Sequence, residues 1–380
     1  MSAQAAALRP GSISRPRGLR GWRYQPERGR DLRLDILRGW CIFSMVVDHA
    51  AGERTTPLFH ITGNGPWPIT GAHGFVMLSG TVIGILYLAL LRQKGVKTAM
   101  RKLGARALKL YAVAVALGMI EIGWGLLPFE GKFGTLNPLD LLGVVTLTHG
   151  SDDLMTFYLM LLALTPVLLF LFAKRLTLVA LAASVGVWLL HQHNESWLNP
   201  PLRYFVPLAD WQLFFVVGMA IGCERERIRT WLVGRRRQVY LSVLFGILAF
   251  FLFVQLAVPT GLWPDHPDWI ESVYAQAWQG YDHNPPLHML AVFCYLLSFY
   301  HVVDWLWLGF NKLIGWFFVP LGQAALYVYA VHTVLVYYLL ASLSVFQDAE
   351  GPVLTFSLLA LMGLLWLMVK RRFLFSIIPR

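Results

Sequence analysis

The chain has 380 residues, 57% of them apolar and only 14% charged, about half the charged fraction of a soluble globular protein. That composition excludes an ordinary soluble enzyme. Lys and Arg number 32 against 21 Asp and Glu, a formal net charge of +11, but no basic stripe alternates with base-stacking aromatics in a polar segment. Nucleic acid is therefore excluded as a partner, and the charge is read as that of the cytoplasmic loops of a multispanning membrane protein.

Residues 1–30 are rich in Arg, Pro and Gly and have no early apolar run. They are predicted to be a disordered, basic cytoplasmic tail, not a cleavable signal peptide. Residues 31–380 then form one integral-membrane domain. A membrane helix takes about 20 mainly apolar residues, and with that window ten spans are predicted: 34–51, 69–91, 110–127, 154–172, 176–191, 208–223, 239–258, 287–307, 317–343 and 353–369. The fold class is all-α, a polytopic helix bundle.

Basic runs fall between the second and third spans (Arg92, Lys94, Lys97, Arg101, Lys102, Arg106 and Lys109), between the sixth and seventh (Arg225, Arg227, Arg229, Arg235, Arg236 and Arg237) and after the tenth (Lys370, Arg371 and Arg372). The alternate loops carry Asp265, Asp268, Glu271, Asp282, Asp348 and Glu350. By the positive-inside rule both termini are cytoplasmic, and the expected location is the inner (plasma) membrane, in contact with its lipids. Cys41, Cys223 and Cys294 lie in or beside apolar runs without ligand spacing, so neither a disulfide framework nor a metal site is predicted. The outer-loop residues His60, His266 and His283, with Asp265 and Asp282, likewise lack a shared helix face for a metal.

The informative residues are the polar ones inside the spans. In the first span Arg38 and His49 are eleven positions apart, which at 100° per residue returns to within about 20° of the same face, roughly 16 Å along the axis. Asp35, Ile42 and Met45 share that stripe, and Asp48 lies about 100° round from His49. On one reading Arg38 snorkels to the inner interface while Asp48 and His49 end the helix. On the other, the stripe faces the bundle interior: His49, assisted by Asp48, takes a proton from an attacking hydroxyl, and Arg38 holds a phosphate of an acyl carrier.

At these residues the sequence resembles the transmembrane acyltransferase (acyltransferase 3) superfamily, whose first span carries an Arg, ten residues and a His. The fuller string RDLRLDILRG…DH resembles its OpgC-like branch, the periplasmic glucan succinyltransferases. HGFVMLSGTVIG, from His73 to Gly84, is similar to the family's Phe-rich stretch ending in Ser-Gly, matched by Phe75, Ser79 and Gly80; PLGQAALYVYAVHTVLV matches its Leu-Gly and downstream His at Leu321, Gly322 and His332. ADWQLFFVVGMAIG, from Ala209 to Gly222, resembles the sixth-span region more loosely. Where the family places a basic residue and a Ser after Leu-Gly, this chain has Gln323 and Ala325, a departure that bears on succinyl recognition more than on acyl transfer. The resemblance implies an acyl-CoA-dependent O-acyltransferase, with succinyl-CoA or acetyl-CoA as co-substrate and a periplasmic or surface glycan as acceptor.

It also implies catalytic roles for His49, Asp48 and His332, and a donor seat at Arg38, Asp35, Ser79 and Gly80. His332 has a second reading, as a histidine hydrogen-bonded to a neighbouring helix. Ser79, Gly80 and Gly84 also make a small-residue face of the kind that lets helices approach closely. His73, Trp211 and Gln212, at outer span ends, are candidates for acceptor binding, with Trp211 equally placed for an aromatic belt. Glu121, inside the third span, calls for a partner or water. A transporter or flippase would use the same stripe; its signs are inverted-repeat halves and broken helices. No half-to-half similarity is present, although Pro320 is placed to kink the ninth span.

Overall fold

The computed structural model describes residues 31–62, 67–125, 138–147, 153–194, 208–259, 263, 265–278, 284–340, 348–375 and 378. The tail over 1–30 lies outside these residues, as do parts of the loops at 128–153 and 259–286. Among the described residues the regular structure is helical, with no strand. In chain order the helices are α1 (Leu32–Ala51), α2 (Phe59–Thr62), α3 (Gly71–Gly125), α4 (Pro138–Val145), α5 (Asp153–Ala173), α6 (Thr177–His193) and α7 (Leu208–Trp231). There follow α8 (Gly234–Ala257), α9 (Asp268–Trp278), α10 (Pro286–Trp305), α11 (Trp307–Leu313), α12 (Gly315–Gln323), α13 (Ala325–Val334), a π-helical turn (Leu335–Leu339) and α14 (Gly351–Lys370).

As far as they are described, the ten predicted spans fall on helix, but they do not make ten separate rods. The second and third belong to α3, 55 residues long, whose direction breaks at Gly95 (φ 77°, ψ 169°), a conformation that glycine alone reaches easily. The basic run from Arg92 to Lys109, read from sequence as a loop, is therefore helical. The ninth span is the pair α12 and α13 with its π turn, bent by 85°. By length and apolar composition α3, α5, α8, α10 and α14 are able to cross a membrane, and the bent pair makes a sixth candidate.

α1 carries Arg33, Asp35, Arg38 and Asp48, a content that calls for shielding from lipid. It is the central helix, packed by α3, α10, α12, α13 and α14, and nearly all its residues are buried. Asp31 caps its start, its Oδ1 accepting from the Arg33 N–H at 3.1 Å. Arg54 closes its end, donating to the carbonyls of Ala50 (2.6 Å) and Ala51 (2.9 Å). The Ala51 carbonyl also accepts from the Arg54 N–H at 3.2 Å, so side chain and backbone together serve the helix end.

The closest helix pair is α3 with α7. A Cβ on Gly80 would overlap the carbonyl of Phe215, one on Gly84 that of Met219, one on Gly218 that of Met77 and one on Gly222 that of Thr81. Two glycine pairs, each spaced by four, thus interlock on facing helices. A second close seam joins α1 to α12, where Gly39 meets the Phe318 carbonyl and Gly322 that of Asp35. α8 packs against α9 and α10 and leaves Val239, Val243, Phe253 and Leu256 exposed, an apolar outer face suited to lipid.

Candidate active site

The bent pair follows the polar stripe of α1 from end to end. At its break Gln323 Nε2 donates to Asp35 Oδ2 at 3.2 Å, and fourteen residues after Asp35 the far end of α13 meets the stripe again. There His49 Nδ1 and His332 Nε2 stand 2.9 Å apart, a hydrogen bond across 283 residues. The two rings are nearly parallel, centroids 5.1 Å apart and planes 24° apart. His332 is fully buried and His49 partly exposed. Tyr329 lies edge-on to both, at 6.4 Å from His49 and 5.0 Å from His332, and Tyr337 of the π turn is 5.7 Å from His49.

One proton serves the nitrogen pair when both rings are neutral. If His49 Nδ1–H donates to His332 Nε2, the lone pair of His49 is on Nε2, which makes no hydrogen bond to any described residue. In this tautomer a partly exposed imidazole is held by a buried acceptor, with its basic nitrogen free to take a proton. This is the orienting logic of catalytic histidines, with a second imidazole in the role usually taken by a carboxylate. Asp48, also partly exposed, lends its backbone carbonyl to the Gly52 N–H at 3.0 Å.

Between the two contacts lies Arg38, 9% exposed, its guanidinium 5.8 Å from the Phe75 ring centroid. Phe75 packs on Tyr158 (6.2 Å), whose hydroxyl accepts from Arg106 Nη2 at 3.4 Å. A second guanidinium thus belongs to the same aromatic layer, contributed by the stretch that read as a loop. Its sequence signal was its place among loop arginines, which hid it. Ser79 is buried, and its Oγ has no hydrogen-bond partner among the described residues. Gly80 is turned into the α7 seam.

The structure brings His73 and Trp211 together and sets them apart from His49. Their rings stack at 4.3 Å and 6°, both fully buried. His73 Nδ1 accepts from the Thr70 N–H at 3.2 Å and lies 3.1 Å from Thr70 Oγ1, which leaves the proton on Nε2, 3.3 Å from Asn284 Oδ1. The Asn284 carbonyl accepts from Trp188 Nε1 at 3.1 Å. Gln212 locks α6 to α7: its Oε1 accepts from Ser184 Oγ at 2.6 Å, and its Nε2 donates to the carbonyls of Ser184 (2.9 Å) and Ala209 (3.1 Å). Both amide hydrogens are used inside the protein, so Gln212 has no donor left for a ligand.

Among the described residues no group of three His, Cys, Asp or Glu side chains stands close enough to hold a metal ion. A cavity of about 1350 Å³ lies between α1, α3, α7, α8 and α10. It touches α1 through Arg33, Leu34, Leu37, Trp40, Cys41 and Ser44, a face centred roughly 110° round from Arg38 and His49. Neither Arg38 nor the histidine pair lines it.

The family model described as OpgC protein matches residues 30–132 and 133–376, which include every residue of the α1 stripe and the bent pair. No curated protein and no solved structure matches the chain.

Proposed function

From membership of the OpgC family, to which this chain belongs, we infer an acyltransferase that modifies a glucan in association with a membrane. From that premise we propose that it moves an acyl group, succinyl or acetyl, from acyl-CoA on the cytoplasmic side to a hydroxyl of a periplasmic or surface glycan. The observation that carries the reading is the 2.9 Å contact between His49 Nδ1 and His332 Nε2; with the shared proton on His49 Nδ1, it leaves a base at His49 Nε2. In the transfer His49 Nε2 takes the proton of the acceptor hydroxyl, and the oxygen attacks the thioester carbonyl. The carbon–sulfur bond breaks, and the coenzyme A thiolate leaves with the proton returned from His49. His332 acts as a positioning residue, and Asp48 adds negative charge beside the imidazolium that forms.

Arg38, with the open Ser79 hydroxyl of α3, holds the donor's phosphates, with Arg106 as a second cation across Phe75 and Tyr158; Asp35 is taken by Gln323 and Gly80 by the α7 seam. His73, Trp211 and Gln212 frame the acceptor side from behind, by fixing α3, α6 and α7. The same reading takes ten crossings of the inner membrane with both termini cytoplasmic. It is supported by Arg33, Arg225, Arg229 and Arg237, which gather at one end of the bundle, as the positive-inside rule requires of a cytoplasmic face.

The bent α12–α13 pair is the one observation that favours the transport reading. A single experiment separates the two. Sealed vesicles carrying the full chain receive labelled succinyl-CoA or acetyl-CoA on the basic face and glucan on the other. Label covalently attached to glucan is the expected result. Solute flux with no label from either donor would contradict the enzyme reading.

A further inference from the structure

The 1350 Å³ cavity exceeds the roughly 300–1,000 Å³ of ordinary small-molecule pockets; its lining runs from an arginine-rich mouth to His60, Thr62, Trp67 and Thr70. That mouth is lined by Arg225 and Arg229 of α7 and Arg237 of α8, all exposed. The carboxylates there are Asp31 and Asp304, both ion-paired to Arg33, and Glu226, 3.4 Å from Arg225 Nε. His301, also at this mouth, is 3.2 Å from Tyr240 Oη. The three arginines are therefore opposed by one carboxylate not already taken by Arg33. Beyond the mouth the walls turn apolar, with Leu248 and Leu252 of α8 and Leu296 and Leu297 of α10 facing Leu37 and Leu78. Two buried hydroxyls on the α10 wall, Tyr295 Oη and Ser298 Oγ, have no hydrogen-bond partner among the described residues.

A cationic mouth, an apolar trough and unsatisfied hydroxyls on its wall together call for an amphiphile with an anionic head and ester or glycerol oxygens. Because the trough uses a different face of α1 from His49, its occupant is separated from the proposed chemistry by that helix. We propose that this trough seats one anionic phospholipid, its phosphate at Arg225, Arg229 and Arg237 and its acyl chains along the Leu248–Leu252 face of α8. The lipid fills the gap between the α8–α9–α10 unit and the central bundle and holds the two together.

The test uses the full chain, reconstituted in vesicles of equal phosphatidylglycerol and phosphatidylcholine, re-extracted in mild detergent and weighed intact with its bound lipids. The wild type is expected to retain one phosphatidylglycerol with at least tenfold preference. At roughly fivefold per arginine, the triple variant Arg225→Ala, Arg229→Ala, Arg237→Ala is expected to lose that preference. Leu252→Trp, which fills the trough and leaves the mouth intact, is expected to lower retention of both lipids and gives a second reading should the triple variant not fold. His49→Ala is expected to keep the lipid, so failure of the acyl-transfer reading and failure of this one are distinguishable. Equal retention of the two lipids by the wild type would overturn the proposal, as would a preference unchanged in both trough variants. Displacement of the lipid by coenzyme A at equal concentration would overturn it too, by making the mouth a nucleotide-phosphate site.

Discussion

Among the described histidines, His73 and His49 differ most usefully in what each ring has left to offer. His73 is buried and stacked on Trp211, with Nδ1 taken by Thr70 and Nε2 facing Asn284. His49 is partly exposed, held at Nδ1 by His332, and has Nε2 free of hydrogen bonds to the described residues. A fully satisfied ring fixes helices; a ring held at one nitrogen and open at the other is equipped to move a proton. The contrast teaches that burial and histidine content alone do not distinguish a ring whose hydrogen bonds are spent from one with a nitrogen left open.

The sharpest way to break that contrast is His49→Ala, expected to slow acyl transfer about 10³-fold while the protein elutes and melts as the wild type; a loss under tenfold would place the base elsewhere. Next in size is Gly222→Leu, which forces a side chain into the Thr81 carbonyl and is expected to destabilise the α3–α7 seam by about 3 kcal/mol or more, read as a fall in melting temperature or loss of folded yield. His332→Leu is expected to lower kcat about 10- to 100-fold with KM for both substrates held, and His332→Gln, whose amide oxygen can still accept from His49 Nδ1–H, to recover part of the loss. Equal rates for the Leu and Gln variants would deny the positioning role. His73→Leu concerns the other ring: it is expected to cost about 1–3 kcal/mol of stability, with transfer per folded molecule within about twofold of wild type. Ser184→Ala is the mildest, about 1 kcal/mol from the lost bond to Gln212, with no effect on transfer.

Much of the α1 reading was legible because helical arithmetic is local: eleven residues suffice to put Arg38 and His49 on one face. What that face meets was not, since the contact with His332 spans 283 residues and no periodicity reports it. His332 stood out as a histidine in an apolar run and through the resemblance of its segment to the family's Leu-Gly and downstream His, neither of which names His49 as its partner. As far as they are described the ten apolar windows are helical, yet hydropathy is blind to direction: Pro320 signalled a kink in the ninth span but not its 85° size, and the break at Gly95 inside α3 stayed hidden. The Ser79–Gly80–Gly84 face was readable as a packing surface, and its partner was present in the same spacing at Gly218 and Gly222. Pairing them required the fold. Gln212 looked available at a span end because sequence shows chemical type without showing which hydrogen bonds are already spent, and Trp211 because sequence does not show that its ring is buried against His73.

The account stands on His49 and His332 working as one unit, and a double-mutant cycle in acyl transfer measures that directly. If His332 acts only by holding His49, the His49→Ala, His332→Ala double variant transfers no slower than His49→Ala alone. Losses that multiply, each variant lowering the rate by its full factor in the presence of the other, would contradict it.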